Sequence, residues 1–212
     1  MANVLLTGGT GYMGRALIPE LVSRGHNVRA LVRRGSEHKL EKGAATVMGD
    51  ALDAASVRSA LDGADVLVHL VGVAHPSPAK AREFREIDLR SIQATVAARP
   101  RYLVSVSVAH PAPAMKSYIE ARTEGESLIR GAGLNATILR PWYVLGPGHW
   151  WPAALLPVYW LMERVPTTRE GARRLGLVTL RQMTMALADA VDCPAEGERV
   201  VDVPGIRAAA AR

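Results

Sequence analysis

The chain has 212 residues, 49% of them hydrophobic and 22% charged, which is ordinary for a globular protein with one sizeable core and short for two domains. Its net charge of +6 favours anionic partners such as a phosphorylated cofactor or an acidic substrate. The basic residues are scattered, with only the pairs Arg33–Arg34 and Arg173–Arg174 adjacent, which argues against nucleic acid. The single cysteine, Cys193, excludes an internal disulfide, and no apolar run reaches the roughly 20 residues that span a bilayer.

Short apolar runs alternate with amphipathic segments along the chain. Strands are predicted at 3–7, 28–33, 45–48, 66–72, 102–107 and 136–140, each read as buried on both faces. Helices are predicted at 12–24, 55–61, 80–98 and 115–130, with a short one at 36–42. Pro19 falls inside the first helix, where it should weaken or kink it. Beyond residue 141 the pattern weakens to a Trp/Pro-rich stretch, a helix at 180–191 and a last strand at 199–203. Repeated strand–helix–strand order implies a doubly wound parallel α/β sheet with helices on both faces. Residues 1–212 form one domain, in which 141–198 contribute a small, trimmed substrate- or partner-binding region. The N-terminus runs directly into a glycine-rich loop, so no secretory signal is expected and the cytoplasm is the expected location.

That loop, "TGGTGYMG" (7–14), falls between the first strand and the first helix. Gly8 permits a tight turn, Gly11 lets backbone approach a pyrophosphate, and Gly14 allows close helix–strand packing. The helix N-terminus offers free N–H groups to phosphate. The loop residues expected at a dinucleotide are therefore Gly8, Thr10, Gly11, Tyr12, Met13 and Gly14. At the end of the second strand, where a carboxylate would select NAD, stands Arg33 with Arg34 beside it. A guanidinium can grip a 2′-phosphate, so NADP(H) is expected over NAD(H). Asp50, placed to reach the adenine, could equally cap its own loop. Ala51, Val71, Gly72 and Pro141 complete the expected cofactor contacts.

The glycine loop, "LVRR", "GD" (49–50) and "ILRPWYVLGPG" (138–148) resemble the extended and atypical branch of the short-chain dehydrogenase/reductase superfamily, especially its NmrA-like and complex I accessory-subunit-like members. The resemblance implies a Rossmann fold, an NAD(P) cofactor and oxidoreductase chemistry by a Ser, a Tyr and a Lys. Ser107 and Tyr118 fit that pattern, but Arg122 stands where the lysine would be. Arginine keeps the charge and does not shuttle a proton. Reduction of a carbonyl or activated double bond of a small apolar substrate is expected, with a non-catalytic NADPH-binding redox-sensing or assembly module as the alternative.

Two near-identical stretches, "VAHPSP" (73–78) and "VAHPAP" (108–113), close the fourth and fifth strands. They are expected as neighbouring lips of one cleft. In this reading proline ends each strand, and His75 and His110 are candidate substrate contacts. No third ligand has metal-site spacing, so no metal is expected. Trp142, Trp150 and Trp151 are further candidate substrate contacts. Their segment could instead form a homodimer surface or a peripheral membrane contact.

Overall fold

The computed structural model describes residues 1–210; the side chain of Trp151 also lies outside the description. Its centre is an all-parallel seven-stranded sheet of β1 (Asn3–Thr7), β2 (Asn27–Val32), β3 (Ala44–Met48), β4 (Val66–His69), β5 (Leu103–Val106), β6 (Ala136–Leu139) and β9 (Glu198–Val201). The spatial order is β3-β2-β1-β4-β5-β6-β9, the Rossmann-type arrangement that the alternating pattern implies. Register aligns Leu5, Leu67 and Leu103 across the three central strands, all fully buried on one face. Val4, Leu6, Val68 and Val104 fill the other face.

Helices α1 (Tyr12–Ser23), α8 (Leu180–Asp192) and α9 (Val203–Ala209) cover that second face. Helices α2 (Ala54–Ala60), α4 (Arg90–Ala98) and α5 (Lys116–Gly131) cover the first. A short α3 (Ala81–Glu83) joins α4 through a π-helical turn, Phe84–Leu89, so the predicted 80–98 helix is interrupted in the middle. Arg24, at the end of α1, ties that helix to α8 through Asp189 and Asp192, both at 2.7 Å. Pro19 sits exposed in α1, which runs through it unbroken. Thr179 caps α8 in a reciprocal box with Gln182.

Several expectations need correction. The 45–48 strand, read as buried on both faces, is β3 at one edge of the sheet and is half-exposed, because it has a neighbour on one side only. The predicted 66–72 strand stops at His69, leaving the next residues free to line a groove. The 36–42 segment is a single 3-10 turn, Glu37–Lys39. The region after residue 141 is also richer than its pattern suggests. It holds a small parallel pair, β7 (Tyr143–Leu145) and β8 (Leu177–Thr179), and helices α6 (Leu156–Met162) and α7 (Arg169–Arg174).

His69 sits fully buried at the end of β4 among hydroxyls, with Thr7 Oγ1 at 3.0 Å from Nδ1 and Ser91 Oγ at 3.2 Å from Nε2. Burial, and secondarily the charge of Arg122, push its pKa down to about 3. The unfolded chain therefore binds a proton that the native state refuses between pH 6.5 and about 3. The stabilisation is complete above pH 6.5 and is lost as pH falls through that window. Urea unfolding should show stability falling by up to ~1.4 kcal/mol per pH unit below 6 from this group, with His69→Gln flattening the slope.

Candidate functional site

Every strand of the main sheet points its carboxyl end to the same edge, and the loops there form two separate cavities. The first begins where β1 gives way to the glycine loop. Gly8 adopts φ +79°, and a Cβ there would lie 2.7 Å from the backbone of Leu70 beyond β4. A Cβ on Gly14 would lie 2.4 Å from the Gly8 carbonyl oxygen, so α1 starts pressed against the loop. Gly11 precedes α1 with no side-chain cap, and the first turn carries no acid, which leaves its N–H groups and positive dipole end for an anion.

Beside this loop runs a groove of about 470 Å³. Gly8, Thr10 and Gly11 form one wall; Arg33, Asp50 and Ala51 stand at the β2–β3 end, and Val71 and Gly72 at the β4 end. Sequence reasoning missed Ser36, beside Arg33, and Lys80, whose Nζ donates to the Ala74 carbonyl at 2.6 Å and straps the β4 loop. Asp50 Oδ1 accepts from the Leu52 N–H at 3.0 Å, so it caps its own turn while lining the groove. Arg34 is exposed outside the groove lining. The Met13 side chain packs into the core. Pro141 is buried, and its carbonyl receives the Ala109 N–H.

At the β5 end, Ser107 lies one residue past the strand rather than at its last position. It is buried and shares a cavity of only about 10 Å³ with Asp88, Arg122 and Glu126, room for a single water. Tyr118 packs its ring 5.0 Å from Phe84, with the Arg122 guanidinium 5.3 Å from the ring centre. Arg122 Nη1 donates to the Val106 carbonyl at 2.9 Å, and Nη2 meets Asp88 at 2.5 Å. Asp88 comes from the π-helical turn, a distortion often found at functional sites, and its other oxygen accepts the Val73 N–H at 3.0 Å. Burial works against the Arg122 charge, but Tyr118 and Asp88 outweigh it and raise the guanidinium's pKa. Burial in turn pushes the Asp88 carboxyl up in spite of Arg122. Glu126 is held below the usual range because Arg140, Ser107 and His110 outweigh its burial.

The two His-Pro stretches do not line one cleft. Ala74 faces the groove, whereas Ala109 and His110 face a second cavity of about 510 Å³. The backbones differ too: His75 has φ +50°, and the His110–Pro111 peptide bond is cis. His75 stacks on His149 at 4.7 Å, which meets Tyr12 at 4.6 Å, so two loops and the start of α1 join through a row of rings. No sequence pattern pointed to His149. Trp142 packs against the core, while Trp150 is exposed. Helix α6 buries none of its residues, leaving Trp160 and Leu161 in solvent, so the tail is not simply core packing.

The profile of the NAD(P)H-binding family matches residues 8–146, from the glycine loop to the end of β7. The chain belongs to this family. Similar proteins place it among the extended and atypical short-chain dehydrogenases/reductases. A ceramide reductase of Caulobacter vibrioides is 30% identical over 149 residues, covering 68% of this chain and 47% of that protein. A 4-hydroxy-2-methyl-3-oxo-4-farnesyl-3,4-dihydroquinoline-1-oxide ketoreductase of Stigmatella aurantiaca is 29% identical over 194 residues, covering 79% of this chain and 56% of that one. The chain thus spans about half the length of these curated relatives. The fold also matches the Bordetella bronchiseptica enzyme WbmH in complex with NAD+, with a TM-score of 0.67 and 21% identity over 95% of this chain and 76% of that one. Among the described residues of this NAD(P)H-binding protein, no helix is long and apolar enough to cross a membrane.

The Asp88 side chain is fully buried and that of Arg122 nearly so, so neither charge tolerates loss of the other. Arg122→Met should lower stability by roughly 3–5 kcal/mol in thermal or urea unfolding, because it strands a buried carboxylate. The double variant Asp88→Leu/Arg122→Met should regain most of that loss, since no orphan charge remains.

Proposed function

We propose that this protein is an NADP(H)-dependent oxidoreductase that reduces a carbonyl or activated double bond of a small apolar substrate. The observation that carries the reading is the groove itself. It runs from an uncapped helix N-terminus, suited to pyrophosphate, to an arginine at the end of β2 where a carboxylate would repel a 2′-phosphate. The residues present fit such a cofactor: Gly8 and Gly11 against the phosphates, Arg33 at the 2′-phosphate, Val71 and Gly72 toward the nicotinamide half. When bound, NADPH supplies a hydride. Tyr118 donates a proton to the substrate oxygen, Ser107 holds that oxygen, and Arg122 keeps Tyr118 in place at the start of α5. The reductase names of the curated relatives support the same direction of chemistry.

A second reading, a non-catalytic NADPH-binding module, is favoured by one observation. Arg122 is already bonded to Val106 and Asp88, and the cavity at Ser107 holds about 10 Å³. Opening of that pocket on cofactor binding is what separates the two.

Fluorescence titration of the purified chain should show NADPH binding at least tenfold tighter than NADH, with Arg33→Ala removing the preference and sparing NADH. Equal affinities in the wild type would rule out the NADP(H) assignment. In a carbonyl-substrate screen, Tyr118→Phe should retain NADPH affinity and lose turnover by a hundredfold or more. NADPH binding with no turnover on any carbonyl or enone would leave the module reading.

A further inference from the structure

The second cavity, of about 510 Å³, has a lining that no part of the cofactor chemistry uses. It lies past the carboxyl ends of β5, β6 and β9, walled by His110 and Arg140 on one side and by Arg169, Arg173 and Arg174 of α7 on the other. Its charges are not all matched. Arg140 is taken up by Glu126, through a bidentate pair in which Nε donates to Oε1 at 2.9 Å. Arg169 Nε donates to the Glu163 carbonyl at 3.0 Å, leaving its terminal nitrogens uncommitted among the described residues. Arg173 has no ion-pair partner among the described residues. Arg174 meets only the far end of the exposed Glu170, at 3.7 Å.

Two residues lining this cavity also carry a buried nitrogen with no hydrogen-bond partner, Arg174 at Nε and His110 at Nε2. His110 Nε2 lies 3.7 Å from Glu126 Oε2, beyond hydrogen-bond reach. A buried donor without an acceptor costs about 1–3 kcal/mol, a penalty that a bound acceptor removes. Against these donors stand two acids. Asp202 is engaged as the cap of α9, accepting from the Gly205 N–H at 3.0 Å, and Glu170 is almost wholly in solvent. With the Arg140–Glu126 pair set aside, three arginines face two carboxylates. Guanidinium forks match the oxygens of phosphate and carboxylate.

We infer that this cavity is an oxyanion site that binds a phosphate or carboxylate group carried by the substrate. That the anion belongs to the substrate rests on the oxidoreductase reading; the site itself does not. Its wall is continuous with the candidate catalytic end, since Ala109 and His110 lie two and three residues past Ser107, and Glu126, which lines the small cavity at Ser107, pairs with Arg140 of the second cavity. An apolar substrate held there would carry an acidic group on the side away from the cofactor groove.

The test is a calorimetric titration of the full chain with inorganic phosphate, for the wild type, Arg173→Glu, Arg173→Gln and Arg33→Ala. Arg173 is exposed and has no ion-pair partner among the described residues, so its variants should keep the wild-type unfolding temperature. Saturable binding that weakens tenfold or more in R173E, and by a smaller factor in R173Q, while R33A stays within twofold of the wild type, is the expected result. Loss in R33A alone would put the phosphate in the cofactor groove and overturn the proposal, as would equal binding in all four proteins. Benzoate competing with phosphate for the wild type extends the site to carboxylates; benzoate without effect restricts it to phosphate, and the site stands in both cases. NADPH titration of the same variants is read separately. Failure of NADPH to bind would remove the oxidoreductase reading while leaving the phosphate result intact.

Discussion

A sheet whose strands all run one way must leave all their carboxyl ends on one edge, and the rest of this molecule follows from that constraint. Parallel pairing also requires a crossover between each strand and the next, so both faces are roofed by helices and the buried polar side chains of β1, β4 and β5 are confined to Thr7, His69 and Ser105, near the carboxyl ends. Polar chemistry is thereby expelled to the edge. There the loops after β1, β2 and β4 make one cavity, and those after β5, β6 and β9 make another. The divide between them is the end of β5, where Ser107, Arg122 and Glu126 are packed with almost no free volume.

How charge survives at that divide is a matter of pairing. Arg122 and Glu126 lie one turn apart on α5 and carry opposite signs, yet each takes its main partner elsewhere: Asp88 from the π-helical turn and Arg140 from beyond β6. Each pair is desolvated enough that the ions are held by hydrogen-bond geometry rather than by net Coulomb gain. A single α5 face thus pins the ends of β4, β5 and β6 together, which sets the separation of the two cavities.

Much of this was legible in the residues. Continuous apolar runs such as "VLLT" and "VLVH" announce buried parallel strands, and the glycine spacing has a steric counterpart in the positive φ of Gly8 and in Gly14 pressed against the Gly8 backbone. The neighbouring placement of the fourth and fifth strands also followed from the order of elements. What escaped was set by tertiary packing. Asp88 reads as a helical surface acid until the π-helical turn and Arg122 bury it, and His149 reads as a loop residue until it stacks between Tyr12 and His75. The "VAHP" repeat invited a single account. Identical local sequence does not fix what lies beside each copy, and the two turn toward different cavities. The arginines of α7 were visible only as a pair, because their common target is a space enclosed by the ends of β5, β6 and β9, strands distant from α7 in the sequence.

The buried polar chain along the edge also explains why His69 is neutral. At the end of β4 it pairs in register with Thr7 and Ser105, and hydroxyls from Thr7, Ser91 and Thr95 reach its ring. Hydroxyls can donate or accept, so they suit either tautomer of an uncharged imidazole but offer no countercharge to an imidazolium. The nearby Arg122 charge then opposes a second cation. The guanidinium stays charged because Asp88 and Tyr118 face it, whereas burial and the Arg122 charge keep the imidazole neutral. Arg122 and Asp88 are thereby fixed as a compensated pair behind the β4 and β5 strand ends, where Asp88 also holds the Val73 N–H beside the groove.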